Sequence, residues 1–223
     1  MNLLIYCAGG LGREVLDLAQ RVDNWGSRWE QMFFVDDVVE EDTICGISVY
    51  SYEEIKEHEK LSPKRAEFII ATGEPFFREK LFEKVKADGY SFATIVAPTC
   101  IISESTRIGQ GCVIRDYCQI SVDVEIEEGC YLQGSVHIGH DCRCKRHSVL
   151  SSMVHMAGGV VVGERAYLSP GTLVKNEISI GDDAIVGMGS VVLRNVKPGK
   201  IVRGNPAKVI GDNEEKRVFS MFS

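Results

Sequence analysis

From Ile102 to Val192 every sixth residue is apolar. The series is Ile102, Ile108, Ile114, Ile120, Ile126, Leu132, Ile138, Cys144, Leu150, Met156, Val162, Leu168, Val174, Ile180, Val186 and Val192, sixteen positions without a slip of register. Two residues before each stands a side chain that is smaller at thirteen of the sixteen positions, from Cys100, Thr106 and Cys112 through to Ala184 and Ser190, and the same at Cys142, Val160 and Ile178. A helix repeats at about 3.6 residues and a strand at about 2, so neither produces this beat. A parallel β-helix does. Three short strands form one triangular coil, each hexad supplies one side, the large aliphatic points into the prism, and the smaller residue fits near a corner. Coils then stack at the strand spacing of about 4.8 Å. Burying the series at roughly 1.5–3 kcal/mol per residue yields about 25–50 kcal/mol before the entropy of ordering is subtracted, enough for a self-sufficient core.

The repeat also accounts for most of the eight cysteines. Cys100, Cys112, Cys118, Cys130 and Cys142 occupy the small position, and Cys144 an inward one, so they read as packing. Cys142-Arg143-Cys144 has no partner pair at finger-like spacing, and no metal is expected. The chain has 223 residues, with 25 Lys plus Arg against 32 Asp plus Glu. A net charge of −7 argues against a general nucleic-acid binder, though a few placed groups can still hold a small anion. No run approaches the roughly 18 apolar residues of a membrane span, and Met1–Tyr6 has no secretory pattern. A cytoplasmic globular protein without membrane insertion is expected, a setting that also disfavours disulfides.

Residues 1–97 lack the beat and alternate strand with helix. Strands are predicted over Asn2–Cys7, Met32–Val35, Glu67–Ala71 and Ser91–Val96, with helices over Arg13–Val22, Glu53–His58 and Phe76–Ala87. This is a small parallel α/β sheet. The turn Ala8-Gly9-Gly10-Leu11-Gly12 followed about two dozen residues later by Asp36-Asp37 is similar to a dinucleotide fingerprint. Such a turn also serves as a plain tight turn. The length suits one mononucleotide-binding half, a half-Rossmann unit, rather than a nicotinamide enzyme.

Four histidines, His137, His140, His147 and His155, fall within the repeat. His137 and His155 are eighteen apart and should stack on one side of the prism. His140 lies at a corner with Asp141 beside it, and Gly158, eighteen further on, should leave open space above the ring. An imidazole with a pKa near 6.5 and a carboxylate to orient it suits a general base. Solvent-facing decoration is the plain alternative. The intervals of 3, 7 and 8 lack the pair five apart used by β-helix zinc hydratases.

Several segments together carry a resemblance. They are Cys7-Ala8-Gly9-Gly10-Leu11-Gly12-Arg13-Glu14-Val15, Phe34-Val35-Asp36-Asp37, Ala71-Thr72-Gly73, Ile138-Gly139-His140-Asp141-Cys142 and Val202-Arg203-Gly204-Asn205-Pro206-Ala207-Lys208. In this order the chain resembles the hexapeptide-repeat sugar acetyltransferases that include sialic acid O-acetyltransferases and the UDP-4-amino-sugar N-acetyltransferases of the bacillosamine pathway. The resemblance implies an α/β half-Rossmann domain (1–97) that binds a nucleotide-linked amino sugar, a left-handed parallel β-helix (98–210) and a C-terminal tail (211–223). It further implies acetyl-CoA as cosubstrate, a homotrimer with sites between subunits, and a place in polysaccharide biosynthesis. His140 matches the family's base and Asp141 its partner. Gly9, Gly10, Leu11, Asp36, Asp37 and Gly73 match nucleotide-sugar contacts. Val149, Pro170 and Met188 fall at acetyl-CoA contacts, and Gly158 belongs with them. Leu11 replaces the histidine of a usual Gly-His-Gly loop, and Val149 stands where relatives often carry another histidine.

N-acetyl transfer to an amino sugar is the expected function. A sialic-acid-type O-acetyltransferase and a non-catalytic nucleotide-sugar-binding β-helix are the alternatives. The basic residues Lys197, Lys200, Arg203 and Lys208 read as solvated charge or as contacts for coenzyme phosphates. The tail, apolar at Val218, Phe219, Met221 and Phe222, is expected either to cap the prism or to pack on a neighbour.

Overall fold

The structure, a computed structural model, describes residues 1–23 and 27–219, so Met221 and Phe222 lie outside the described residues. The N-terminal unit is a six-stranded sheet of β1 (Asn2–Tyr6), β2 (Met32–Val35), β3 (Thr43–Ile44), β4 (Ile47–Tyr50), β5 (Ala66–Ile70) and β6 (Ser91–Phe92). Its order is β3-β4-β2-β1-β5-β6, and all pairs are parallel except β3 with β4. Helices α1 (Gly10–Asp23), α2 (Tyr52–Glu57) and α3 (Pro75–Ala87) complete it. The β1 run is buried throughout, as a central parallel strand should be. The β3–β4 hairpin is absent from the sequence reading. Its turn, Cys45-Gly46, has φ of 52° and 73°, the left-handed pair that two-residue hairpins require.

Two-residue strands run from Ile95–Val96 to Val191–Val192 and are dealt in rotation to three sides of a prism. Each strand pairs in parallel with the one eighteen residues on, as in Ile114 with Leu132, Ile138 with Met156 and Cys144 with Val162. The expected inward series forms one buried core from Ile114 to Val192, with Ile102 and Ile108 half-buried at the open end. Ile95–Val96 already pairs with Val113–Ile114, so the first coil starts just ahead of Ala97-Pro98. Lys200–Arg203 and the antiparallel Lys208–Asp212 close the other end. This is the fold class expected from the hexads, the left-handed β-helix of its structural neighbours. No helix among the described residues is long and apolar enough to cross a membrane.

The corners follow a second six-residue rule. From Gly111 to Gly189 every sixth residue has φ between 54° and 71°, including Tyr117, Asp123, Ser135, Asp141, His147 and Met153. Left-handed backbone costs a residue with a Cβ about 1–2 kcal/mol, and the corners from Gly129 to Gly189 are held by backbone bonds to the coil beneath, those at Tyr117 and Asp123 by the hydroxyls of Thr99 and Ser105. Asp141 N donates to Val122 O at 3.2 Å, and His147 N to Glu128 O at 3.1 Å. The small-position cysteines do more than fill space. Sγ of Cys100, Cys112, Cys118 and Cys130 each donates at 3.1 Å to the carbonyl fifteen residues on, and Cys142 does so at 3.2 Å.

The α/β unit is bolted to the first side of the prism. Outward residues of that side, Val113, Tyr131, Val149, Tyr167, Ile185 and Ile201, share one buried cluster with Leu3, Ile5, Val15, Leu18 and Trp29. Paired charges flank it. Arg21 grips Asp116 through two bonds of 2.8 Å, which draws that carboxyl down to about 2. Arg165 holds Asp183 at 2.7 and 3.0 Å and Glu79 at 2.8 Å. Stability should therefore depend on the inward series. In urea denaturation, Leu150→Ala is expected to cost about 2–5 kcal/mol, whereas Leu193→Ala, at a position 47% exposed, should stay within about 0.5 kcal/mol.

Candidate active site

In the α/β sheet the strand order reverses at β1, which has β2 on one flank and β5 on the other. Ligands of open α/β sheets bind at such a switch point, beyond the carboxyl ends of the strands. The turn after β1 carries Gly9 and leads into Gly10 and Leu11 at the start of α1, and the loop after β5 carries Gly73. The glycine turn is shorter than expected, because α1 begins at Gly10 rather than Arg13. Arg13 N donates to Gly9 O at 3.1 Å, so the preceding amides lack intrahelical partners and suit an anion. Gly9 has open space around it. The glycine that the turn cannot replace is Gly12, where a Cβ would sit 2.0 Å from the Cys7 carbonyl oxygen.

Asp36 and Asp37 lie beside this loop, but their carboxylates are already committed. Asp36 accepts from Ala8 N at 2.8 Å and from Val38 N and Val39 N at 3.0 and 3.2 Å. Asp37 accepts from Tyr6 Oη at 2.7 Å and Tyr52 N at 2.8 Å, with the Lys84 ammonium 3.5 Å away; these partners hold its pKa below the usual carboxylate range despite partial burial. Asp36 thus ties the glycine loop to the turn after β2.

The sequence reading missed the residues that hold the other loop. Arg78 of α3 is fully buried and donates to Ile70 O at 2.7 Å and Thr72 O at 2.5 Å, with its guanidinium 4.9 Å from the Tyr131 ring centre. Burial lowers its pKa to about 10, which leaves the charge in place at neutral pH. Glu74 accepts from Val218 N and Phe219 N, and the Phe219 ring lies against Gly73 beside Leu11. Within the described residues the tail, expected to cap the prism or pack on a neighbour, runs on to Glu74 and Gly73. It returns to the α/β unit.

His140 sits on the corner between the second and third sides. Its Nδ1 is 2.6 Å from Asp141 Oδ2, and both side chains are about two-thirds exposed. In the neutral tautomer whose Nδ1 donates to this carboxylate, Nε2 keeps its lone pair. Asp141 reaches the ring because it occupies the left-handed corner position, φ 57°, which Asp tolerates better than most residues. Gly158 does stack over His140, but the expected open space is filled by the ring itself. A Cβ on Gly158 would lie 2.5 Å from Nε2 and Cε1. Gly158 is a platform for the imidazole.

Of the other expected coenzyme contacts, Val149 is corrected. It is 1% exposed and shares the buried cluster of the domain seam with Leu3 and Val15, because it is the outward residue of the side that the α/β unit covers. Pro170 and Met188 do stack, with Gly189 N donating to Pro170 O at 3.0 Å on the corner between the first and second sides. Met188 is exposed, and the Arg203 side chain packs on neighbouring Gly187. Lys200 is paired with Asp212.

Residues 2–85 match the PglD N-terminal domain family. Over these residues the first unit is similar to that domain. The whole chain is similar to PerB from Caulobacter crescentus, solved with CoA and GDP-perosamine, at 27% identity, covering 95% of this chain and 98% of that one with a TM-score of 0.85. The acetyltransferase domain of PglB from Neisseria gonorrhoeae is similar at 25% identity, 94% and 99% coverage and a TM-score of 0.87. WeeI from Acinetobacter baumannii shares the fold, at 24% identity, 94% and 100% coverage and a TM-score of 0.66. No curated protein matches the chain. These findings support the resemblance read in the sequence, to the hexapeptide-repeat sugar acetyltransferases that include sialic acid O-acetyltransferases and UDP-4-amino-sugar N-acetyltransferases.

The four histidines do not form one group. His137 and His155 stack on the second side with ring centres 5.4 Å apart, while His147 lies buried beneath the PglD-type domain. Its ring meets Gly129, where a Cβ would clash at 2.2 Å, and stands edge-on to Phe82 at 5.0 Å. His147 is thus packed into the seam between the two units. Among the described residues no three His, Cys, Asp or Glu side chains converge as a metal site. Neither ring nitrogen of His147 has a hydrogen-bond partner, and burial, with the nearby Arg78 and Arg146 charges, pushes its pKa down to about 3. The folded protein keeps this ring neutral, whereas the unfolded chain protonates it below about pH 6.5. Its contribution is complete above that pH and lost as pH falls toward 3, at up to about 1.4 kcal/mol per unit. Unfolding free energies of the wild type should drop between pH 6.5 and 4.5, and His147→Asn should flatten that slope.

Proposed function

We propose that the protein is an acetyl-CoA-dependent N-acetyltransferase acting on the amine of a nucleotide-linked amino sugar. The observation that carries this reading is the whole-chain likeness to PerB, an N-acetyltransferase solved with CoA and GDP-perosamine. Two features of the chain support it. A switch-point crevice with free helix amides suits a nucleotide diphosphate, and a carboxylate-oriented imidazole with a free Nε2 suits proton removal. In this reading residues 1–97 hold the acceptor and 98–210 carry the transfer.

The neutral amine attacks the thioester carbonyl carbon directly. A C–N bond forms, and the carbonyl oxygen takes the negative charge of a tetrahedral intermediate. His140 Nε2 removes the extra proton from nitrogen while Asp141 steadies the imidazolium. Collapse restores the carbonyl, breaks the C–S bond and releases the CoA thiolate, which is protonated. No covalent enzyme intermediate is required, so both substrates are bound together.

In one chain His140 stands on the corner between the second and third sides, whereas the α/β unit that bears the crevice covers the first. The reading therefore includes a homotrimer, in which the base of one subunit meets the crevice and the Pro170–Met188 corner of the next. Exposed apolar side chains gather on the second side and its corner, with Ile101 69%, Tyr117 66%, Met153 63% and Met188 69% accessible. A surface of that kind favours burial against another copy.

Thiol release from acetyl-CoA with UDP-, GDP- and dTDP-linked 4-amino sugars tests the activity. Transfer to at least one amine is expected, and transfer to hydroxyl acceptors alone, or to none, overturns the reading. His140→Ala should lower turnover about 100- to 10,000-fold with the fold intact. Gly158→Ala, which displaces the ring, should lower it as well. Light scattering should return about three times the chain mass of 24.7 kDa.

A further inference from the structure

We propose that Phe219 is a specificity-determining wall of the acceptor crevice and that Glu74 is the positioning residue that holds it there. This inference rests on the acetyltransferase reading and identifies what the sugar touches.

Residues 213–219 are a fastened strap. Asn213 N donates to Gly199 O at 2.7 Å, its side-chain amide donates to Asp183 O at 2.9 Å, and Lys216 pairs with Asp183 at 3.3 Å. At the other end the Glu74 carboxylate accepts from Val218 N at 3.0 Å and from Phe219 N at 3.3 Å. Val218 is 2% exposed. Glu74 occupies the N-cap of α3, yet its side chain makes no capping bond to that helix. A residue that could satisfy its own helix instead binds the amides of the strap, which fixes the backbone of Phe219 beside Gly73.

The ring so placed bridges both loops of the crevice. It lies 3.5 Å from where a Cβ on Gly73 would stand, the Leu11 side chain reaches the same point at 3.8 Å, and Tyr167 meets the ring edge-on at 5.8 Å. Tyr167 is itself fixed by Ser151 Oγ at 2.9 Å. Gly73 leaves room for the ring and Leu11 extends the same apolar surface. About half of Phe219 stays accessible. An accessible aromatic held by a carboxylate at the switch point gives a flat apolar surface to the carbon-bound hydrogens of a pyranose ring. The nucleoside diphosphate, held by the helix amides, does not need it.

The test separates sugar from nucleotide. For Phe219→Ala, the KM of the best nucleotide-sugar acceptor should rise roughly tenfold, as expected for losing one well-packed apolar contact. The KM for acetyl-CoA and the calorimetric Kd for UDP, GDP and dTDP should stay unchanged. Phe219→Leu should lie between Ala and wild type, and Phe219→Tyr should restore the wild-type value. Glu74→Gln should raise acceptor KM with kcat retained and speed hydrogen exchange at the amides of residues 218 and 219. A fall in acceptor KM would mark Phe219 as a plug and overturn the proposal. So would an unchanged KM, or an equal loss of nucleoside diphosphate binding. If the wild type transfers acetyl to nothing, the function reading fails, and calorimetry of the same nucleotide sugars against nucleoside diphosphates still decides the role of Phe219.

Discussion

The stacking of hexads is the constraint on which the molecule depends. An inward aliphatic every sixth residue, with one left-handed corner residue three positions later, lets each coil lie directly on the last. Everything of chemical interest is placed by that lattice. His140 and Gly158 superpose because they are one coil apart, and Asp141 reaches the imidazole because it is itself the corner residue. The carboxylate thus satisfies the backbone rule and the chemistry at once, and the scaffold does not need to be distorted to build the pair.

The prism supplies geometry by repetition, and the α/β unit supplies a switch-point crevice by topology. The seam between them is apolar at its centre and ionic at its flanks, and it carries buried polar side chains that the repeat alone would not require. Arg78 and His147 both lie there. The first fixes the β5–α3 loop through two carbonyls, and the second stays neutral under the PglD-type domain. The seam therefore links the stability of the prism to the shape of the crevice, since the helix that anchors the domain also positions the loop bearing Gly73 and Glu74.

Much of the fold was legible in the chain, and the reasons are particular. The inward series is a one-dimensional signal with no competing explanation, so Ile114 through Val192 could be assigned individually. The parallel strands Asn2–Tyr6 and Met32–Val35 were also plain. The candidate site was legible where it depends on the same arithmetic, as for His140 beneath Gly158. It was illegible where a residue's role depends on what covers it. Val149 has an ordinary outward position on a β-helix, but another domain lies over that side. His147 looked like one more of the four histidines of the repeat, yet its corner is the one against which Phe82 of α3 packs.

The sequence by itself determined the periodic part: the prism, its register, the corner columns and the presence of a separate α/β unit. These follow from local spacing, which a linear chain carries in full. Tertiary structure alone decided which side of the prism the domain covers, that the tail returns to Glu74 and Gly73, and that the carboxylates of Asp36 and Asp37 are committed to loop amides and a tyrosine. Those outcomes join residues far apart in the chain. They arise from surfaces that exist only after both units have folded.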